Sequence, residues 1–215
     1  MPEIIEQHRR FLPHFQAAEQ IISLTWRLAF TLPSHLINLH AEIQEQLQEL
    51  RLQKDSHLKH QQILTYTKKI EDYDALLGRC EVSEVSLCKP IIAEMLCTAF
   101  KFYDTNLYEL HAYCLMPNHI HLLIKPLQNT AGDYHKLSTI VQRLKSYTAK
   151  EINHIIGKQG KVWGDDYFDR YIRCQDDYNN TANYILYNPV KAGLVELAEN
   201  WHYSYYYDAS LWEDS

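Results

Sequence analysis

His119 and His121 stand two residues apart in the run HAYCLMPNHIHLLIKP, residues 111–126. In an extended strand, residues i and i+2 point to one face, so the two imidazoles would lie side by side. Ile120, Leu122 and Ile124 would then turn to the opposite face and pack against apolar neighbours. Neutral imidazole binds several divalent metals, and two on one strand make half a coordination sphere. Downstream, Tyr147 and Glu151 are four residues apart in an amphipathic stretch and would share one helical face. Two imidazoles and one carboxylate suit Mg2+ or Mn2+ and leave positions open for a phosphate oxygen. A phenol beside a phosphate polarised in that way is a candidate nucleophile that forms a covalent phosphotyrosine. Tyr147 is the first candidate among 16 tyrosines, with Tyr167 and Tyr171 as alternatives.

Several elements must position these groups. Residues 3–20 read as a short helix interrupted by Pro13, and residues 21–32 as a strand ended by Pro33. In that strand Thr25, Arg27 and Ala29 share one face, and Trp26, Leu28 and Phe30 the other. Residues 34–77 contain no Gly or Pro, and Leu36, Leu39, Ile43, Leu47, Leu50, Leu58 and Ile63 recur at helical spacing. They predict a helical hairpin or one long helix, with Ser34 as N-cap and a possible break at Asp55-Ser56. This insertion is expected to serve packing or dimerisation rather than chemistry. A helix at 90–103 is expected to pack on a sheet through Ile91, Met95, Ala99 and Phe102. Strands at 107–116 and 119–125 follow, then a helix at 134–156 that buries Leu137, Ile140, Val141, Leu144, Ile152 and Ile155. Gly157 and Gly160 stop it. A loop and strand at 162–173, a helix at 176–188 ending at the Asn188-Pro189 turn, and an extended Tyr-rich segment at 201–207 complete the chain. The succession predicts an α+β fold, with helices packed on an antiparallel sheet.

Composition narrows the function. The 215 residues suffice for one domain with an insertion at about 34–77, and apolar content is an ordinary 46%. With 21 basic and 27 acidic residues, the formal charge of −6 argues against a protein that coats nucleic acid non-specifically. The five cysteines form no C-x-x-C pair, so they are expected to be reduced, small apolar residues in an intracellular protein. No apolar run has signal or membrane-spanning length.

The string Tyr113-Cys-Leu-Met-Pro-Asn118-His119-Ile-His121 resembles the His-hydrophobe-His signature of single-tyrosine HUH transposases, and most closely the REP-associated tyrosine transposases. Further similar motifs follow in order. They are Leu144-Lys-Ser-Tyr147-Thr, then Val162-Trp163 with Asp166-Tyr-Phe-Asp169-Arg170-Tyr-Ile-Arg173, then Tyr184-Ile-Leu-Tyr-Asn188-Pro-Val-Lys-Ala-Gly193-Leu-Val. Thr25-Trp26-Arg27-Leu28, closed by Leu32-Pro33, is similar to the first strand of the family. The resemblance excludes roughly residues 40–85.

It implies a ferredoxin-like (RRM-like) domain that nicks and rejoins single-stranded DNA beside REP-like hairpins through a 5′-phosphotyrosine. It also implies a divalent metal (Mg2+ or Mn2+), a homodimer, and a cytoplasmic, nucleoid-associated location. Carried onto this chain, the roles fall on His119 and His121 as ligands and Tyr147 as nucleophile. Glu151 is the third ligand, although the family often places an amide there; Asn153 lies nearby on another face. Arg27, Asn118, Lys145, Arg170 and Arg173 are the expected DNA contacts. For Arg170 and Arg173 the competing role is pairing with Asp169 or Asp166, and for Trp163 and the 201–207 aromatics it is core packing. A domesticated hairpin or single-strand binder that no longer cuts is the alternative function.

Overall fold

The computed structural model describes residues 4–9, 13–29, 33–52, 56–78, 80, 85–165 and 167–207. Its centre is a five-stranded antiparallel sheet in the order β6-β3-β5-β4-β7. These strands are β3 (Ile22–Arg27), β4 (Tyr108–Leu115), β5 (His119–Pro126), β6 (Phe168–Tyr171) and β7 (Ser204–Tyr206). Helix α3 (Pro90–Tyr103) joins β3 to β4, and α4 (Leu137–Ile156) joins β5 to β6. Two further helices precede α3 in the β3–β4 connection; without them the succession is β-α-β-β-α-β. The α+β class expected from the sequence is the observed one.

Strict alternation along β5 gives the sheet two different faces. Ile120, Leu122 and Ile124 join Ile22, Leu24 and Trp26 of β3 in a core that also takes Ile92 and Leu96 of α3 and Ile140, Val141 and Leu144 of α4. Leu123 points the other way. With Ala112 and Cys114 of β4 it meets Ala182 and Ile185 of α5 (Gln175–Lys191). His119 and His121 alternate with Ile120 and Leu122, so they stand on this α5 face.

The 34–77 stretch is a hairpin of two helices, α1 (Ser34–Leu52) and α2 (Ser56–Gly78), as one of the two sequence readings has it. Residues 53–55, at the break, lie outside the described residues. Leu36, Ile43, Tyr73 and Leu77 close on Phe168 of β6, so the base of the hairpin lies on the histidine side of the sheet. The side chains of Leu47, Leu50, Leu58 and Ile63 lie outside the described ones, as do Phe30 and Leu32.

Three expectations are corrected. The predicted helix at 3–20 is a two-stranded antiparallel ladder, β1 (Ile4–Arg9) with β2 (Pro13–Ala17). Pro13, which a helix interior would not tolerate, is acceptable as the first residue of a strand. The second correction concerns α3, whose ends fall where predicted but whose buried stripe is rotated. Ile92, Ala93, Leu96, Ala99 and Phe100 are buried, whereas Ile91 and Phe102 are 61% and 69% exposed. In a helix this apolar, periodicity defines the phase poorly. The third is α5, which runs through Asn188-Pro189 to Lys191 instead of ending there. Of the cysteines, only Cys114 is fully buried and Cys174 is exposed. Trp163 does pack in the core, edge-on to Trp26 with ring centroids 6.2 Å apart.

The phase of α3 sets a direct test. Ile92→Ala should lower stability by about 2–5 kcal/mol, the usual cost of a core truncation. Ile91→Ala should change it by no more than about 0.5 kcal/mol. Urea unfolding of the two variants separates them, and a larger loss at Ile91 would restore the phase expected from the sequence.

Candidate active site

Both histidines are fully enclosed, with 0% and 1% exposure. Asn118 sets the state of His119. Its Nδ2 donates to the carbonyls of Leu77 (2.7 Å) and Cys80 (3.2 Å), which turns Oδ1 towards His119 Nδ1 at 2.6 Å. His119 therefore carries its proton on Nδ1, and the lone pair of Nε2 faces His121 Nε2 at 3.0 Å. Thr25 Oγ1 holds His121 Nδ1 at 3.0 Å, from the position directly across the ladder. Burial lowers the pKa of both rings, His119 well below the usual value and His121 to about 3. Two neutral imidazoles held nitrogen to nitrogen either share one N–H or share one cation.

Helix α5 brings two further groups, one turn apart. Asn188 places its amide 3.1 Å from His121 Nε2, and the Tyr184 ring lies edge-on to His121 with centroids 5.8 Å apart. Helix α2 supplies Asp74, fully buried, which accepts a hydrogen bond from the Tyr184 hydroxyl at 3.1 Å. The same carboxyl oxygen lies 3.9 Å from His121 Nδ1. Burial pushes Asp74 up to about 8 and Tyr184 well above the usual phenol value, and Asp74 beside the phenol raises the latter further. Lys191 lies over the Tyr184 ring at 4.4 Å. Thr25, Asp74, Arg170, Arg173, Tyr184 and Lys191 help to line a cleft of about 580 Å3, whereas His119, His121 and Asn188 are buried and do not line it.

The donor set fits a cation modestly. Among the described residues no group of three or more His, Cys, Asp or Glu is arranged to hold a metal. Two Nε2 atoms and one amide do converge, and turning the Asn188 amide presents its oxygen at the same point. The second ring nitrogens are already bonded to Asn118 and Thr25, as metal-binding histidines require.

The structure does not bring Tyr147 and Glu151 to the histidines. Both belong to α4, which packs on the opposite face of the sheet, and Tyr147 is 44% exposed. The alternatives fare no better: Tyr167 is buried in the α3/α4 core and Tyr171 is 38% exposed on β6. Asn118, expected to touch DNA, is fully buried and occupied by His119 and α2. Arg170 pairs with Asp177 of α5 at 2.6 Å and donates to Thr181; Asp166, one of its expected partners, lies outside the described residues. Arg173 stacks over Tyr171 at 6.0 Å, at the rim of the cleft. Lys145 donates to the Gly164 carbonyl at 2.7 Å, on the α4 side. Arg27 lies opposite His119 in the ladder, half-buried, with Nη1 donating to the Leu28 carbonyl. The residues missed by sequence reasoning are Tyr184, Asn188 and Asp74. The first two had a signal, a tyrosine and an amide at i and i+4; Asp74 had none.

Comparison with known proteins bears on this arrangement. Residues 82–188, about half of the chain, match the family model described as "Transposase IS200 like". A candidate REP-associated tyrosine transposase of Haemophilus influenzae is 30% identical over 102 residues, covering 45% of this chain and 58% of its own. The REP-associated tyrosine transposase of Escherichia coli is 29% identical over 97 residues, covering 45% and 53%. The chain thus matches little more than half the length of these two relatives. A solved REP-associated tyrosine transposase bound to a REP hairpin is 17% identical with a TM-score of 0.49, over 93% of this chain and 81% of that one. The chain belongs to the IS200-like transposase family, with REP-associated tyrosine transposases as its similar relatives. Among the described residues no helix is long and apolar enough to cross a membrane.

Burial of these groups makes stability depend on pH in two directions. Between pH 6.5 and about 3 the unfolded chain binds protons that folded His121 refuses, so this contribution is lost as pH falls. Asp74 acts oppositely: from 3.8 to about 8 the folded chain keeps a proton that the unfolded chain releases, so stability is lost as pH rises. In chelator, the melting temperature of Asp74→Asn relative to the parent should therefore climb steadily from pH 4 to pH 8. A difference that stays flat across that range would mean Asp74 is not held protonated.

Proposed function

We propose that this chain is a metal-dependent enzyme that nicks and transfers single-stranded DNA next to hairpins, with Tyr184 as nucleophile. The observation that carries the reading is the grouping of the buried His119, His121 and Asn188 beside the hydrogen-bonded Tyr184 and Asp74, which line the cleft. Family membership and the names of the relatives support the substrate class. All of these groups come from one chain, so the reading does not depend on a homodimer. On this reading the enzyme works on chromosomal DNA in the cytoplasm.

Each side chain has a defined task. Asn118 and Thr25 hold the two rings so that their Nε2 atoms face one point. A divalent cation, Mg2+ or Mn2+, held there by His119, His121 and Asn188 would polarise the scissile phosphate and offset charge on its oxygens. Lys191 and Arg173 add positive charge along the cleft. The Tyr184 oxygen bonds to phosphorus as the bond from phosphorus to the 3′ oxygen breaks, which leaves a 5′-phosphotyrosine and, after protonation by water, a 3′-hydroxyl. Asp74 Oδ2 receives the phenolic proton along the 3.1 Å hydrogen bond. It must be ionised to do so, and a cation held by the two neutral histidines would favour that form. Attack of another 3′-hydroxyl on the phosphotyrosine reverses the step and joins strands.

The test is to incubate the protein with Mn2+ and a labelled pool of hairpin-flanked single-stranded oligonucleotides, then resolve it on denaturing gels. A labelled band of protein size is expected, absent in chelator and in Tyr184→Phe, and retained within about twofold in Tyr147→Phe. Asn188→Ala should raise the Mn2+ concentration needed for half-maximal adduct by about 10–100-fold. Loss of the band in Tyr147→Phe with retention in Tyr184→Phe would return the nucleophile to α4. Hairpin binding without any band would make the chain a non-cutting DNA-binding protein.

A further inference from the structure

On the same face of the sheet, beyond the N-terminus of α5, lies a second cleft of about 740 Å3. Its floor is His111, the extra residue of a β-bulge: the β4–β5 register passes from Leu110↔Ile124 to Ala112↔Leu123 and leaves His111 without a partner across the ladder. Bulges of this kind re-aim a side chain and recur beside functional sites. His111 is nine-tenths buried, with Nδ1 bonded to the Tyr178 hydroxyl at 3.1 Å. Its Nε2 is buried with no hydrogen-bond partner among the described residues, and a carboxylate oxygen of Glu109 lies 3.7 Å away. A buried ring nitrogen left in this state costs about 1–3 kcal/mol, which a ligand atom would recover.

The walls indicate the ligand. Tyr178 stands edge-on to His111 and tilted to Tyr206, with centroids at 5.5 and 6.4 Å, and Tyr207 is 69% exposed at the rim. Such rings offer flat apolar surface of the kind on which bases stack. Glu19 and Glu109 also line the cleft, so a phosphate would be repelled, whereas the amino edge of a base finds acceptors. Arg173 lines both this cleft and the one that holds Tyr184, and so marks where the two adjoin.

We propose that the cleft formed by His111, Tyr178, Tyr206 and Tyr207 receives one unpaired nucleobase of the DNA strand whose phosphate lies at Tyr184. The base enters between the tyrosines and hydrogen-bonds to His111 Nε2, while Arg173 holds the intervening backbone. This site selects a base beside the point of cleavage, and it rests on the transposase reading given above.

The experiment is selection from a pool of hairpin-flanked single strands with randomised flanks, using the full chain and Tyr207→Ala. The Tyr207 backbone stays anchored through its N–H to the His111 carbonyl at 2.9 Å, and its side chain is largely in solvent, so the variant should fold. The parent should enrich one base at one flank position, and Tyr207→Ala should lose that preference while keeping the Tyr184 adduct. Replacing that base with an abasic site should weaken binding by the parent about tenfold and leave binding by Tyr207→Ala unchanged. His111→Gln, which keeps a donor and an acceptor, should shift which base is enriched. An identical base preference in the parent and Tyr207→Ala, with the adduct intact, would overturn this inference alone. A parent that selects no strand and forms no adduct would overturn the transposase reading as well.

Discussion

Two uncharged imidazoles, buried with their Nε2 atoms 3.0 Å apart, are the constraint around which the rest of this molecule is arranged. Such a pair tolerates neither bulk water nor protonation, because a charge on either ring would face both desolvation and its neighbour. Each second nitrogen must therefore be held by a partner that fixes its tautomer, and every approach must be covered. Thr25 meets the first requirement from within the sheet and Asn118 from the turn between β4 and β5, while α2 and α5 meet the second from above the sheet. The apolar alternation of β5 does the complementary work on the other side, where Ile120, Leu122 and Ile124 anchor the strand between α3 and α4. Because side chains alternate, the same eight residues build a core on one face and the buried imidazole pair on the other.

The helix-borne half of the site shows equal economy. Tyr184 and Asn188 are one turn apart, so their spacing is a property of the helix and needs no tertiary contact to maintain it. Their placement against the histidines depends on α5 as a whole, which Arg170 ties to β6 through Asp177 and Thr181. The arginine expected from sequence to bind phosphate thus positions the helix that carries the proposed nucleophile.

Much of this could be read in the chain and some could not, for identifiable reasons. The His-x-His strand, the hairpin of strands around Pro117-Asn118, and the limits of α3 were legible, because turn residues and alternation are local signals. The distance of Tyr147 from the histidines was not legible, for the opposite reason. Amphipathicity shows that α4 buries one stripe, but nothing local says which face of the sheet receives it. Tyr147 with Glu151 and Tyr184 with Asn188 present the same i, i+4 geometry, and only the tertiary arrangement distinguishes them. The second pair was further hidden by Pro189, which reads as a helix end but sits in the last turn of α5, inside the helix. Asp74 carried no signal at all: it is one of three carboxylates on a polar helix, with Glu71 and Asp72, and only packing shows it to be fully buried.

The helical hairpin then has a meaning that its composition hides. Its base is part of the wall around the candidate site: the carbonyls of Leu77 and Cys80 receive Asn118, and Asp74 receives Tyr184. Its far end lies about 27 Å along α2 from Asp74, given 1.5 Å of rise per residue. Tolerance to change must therefore be graded along the hairpin. Insertions, deletions and polar drift at the far end leave the local dielectric around the histidines untouched. The same changes at the base would admit water to both rings, so the segment that looks most dispensable in the sequence is half replaceable and half fixed.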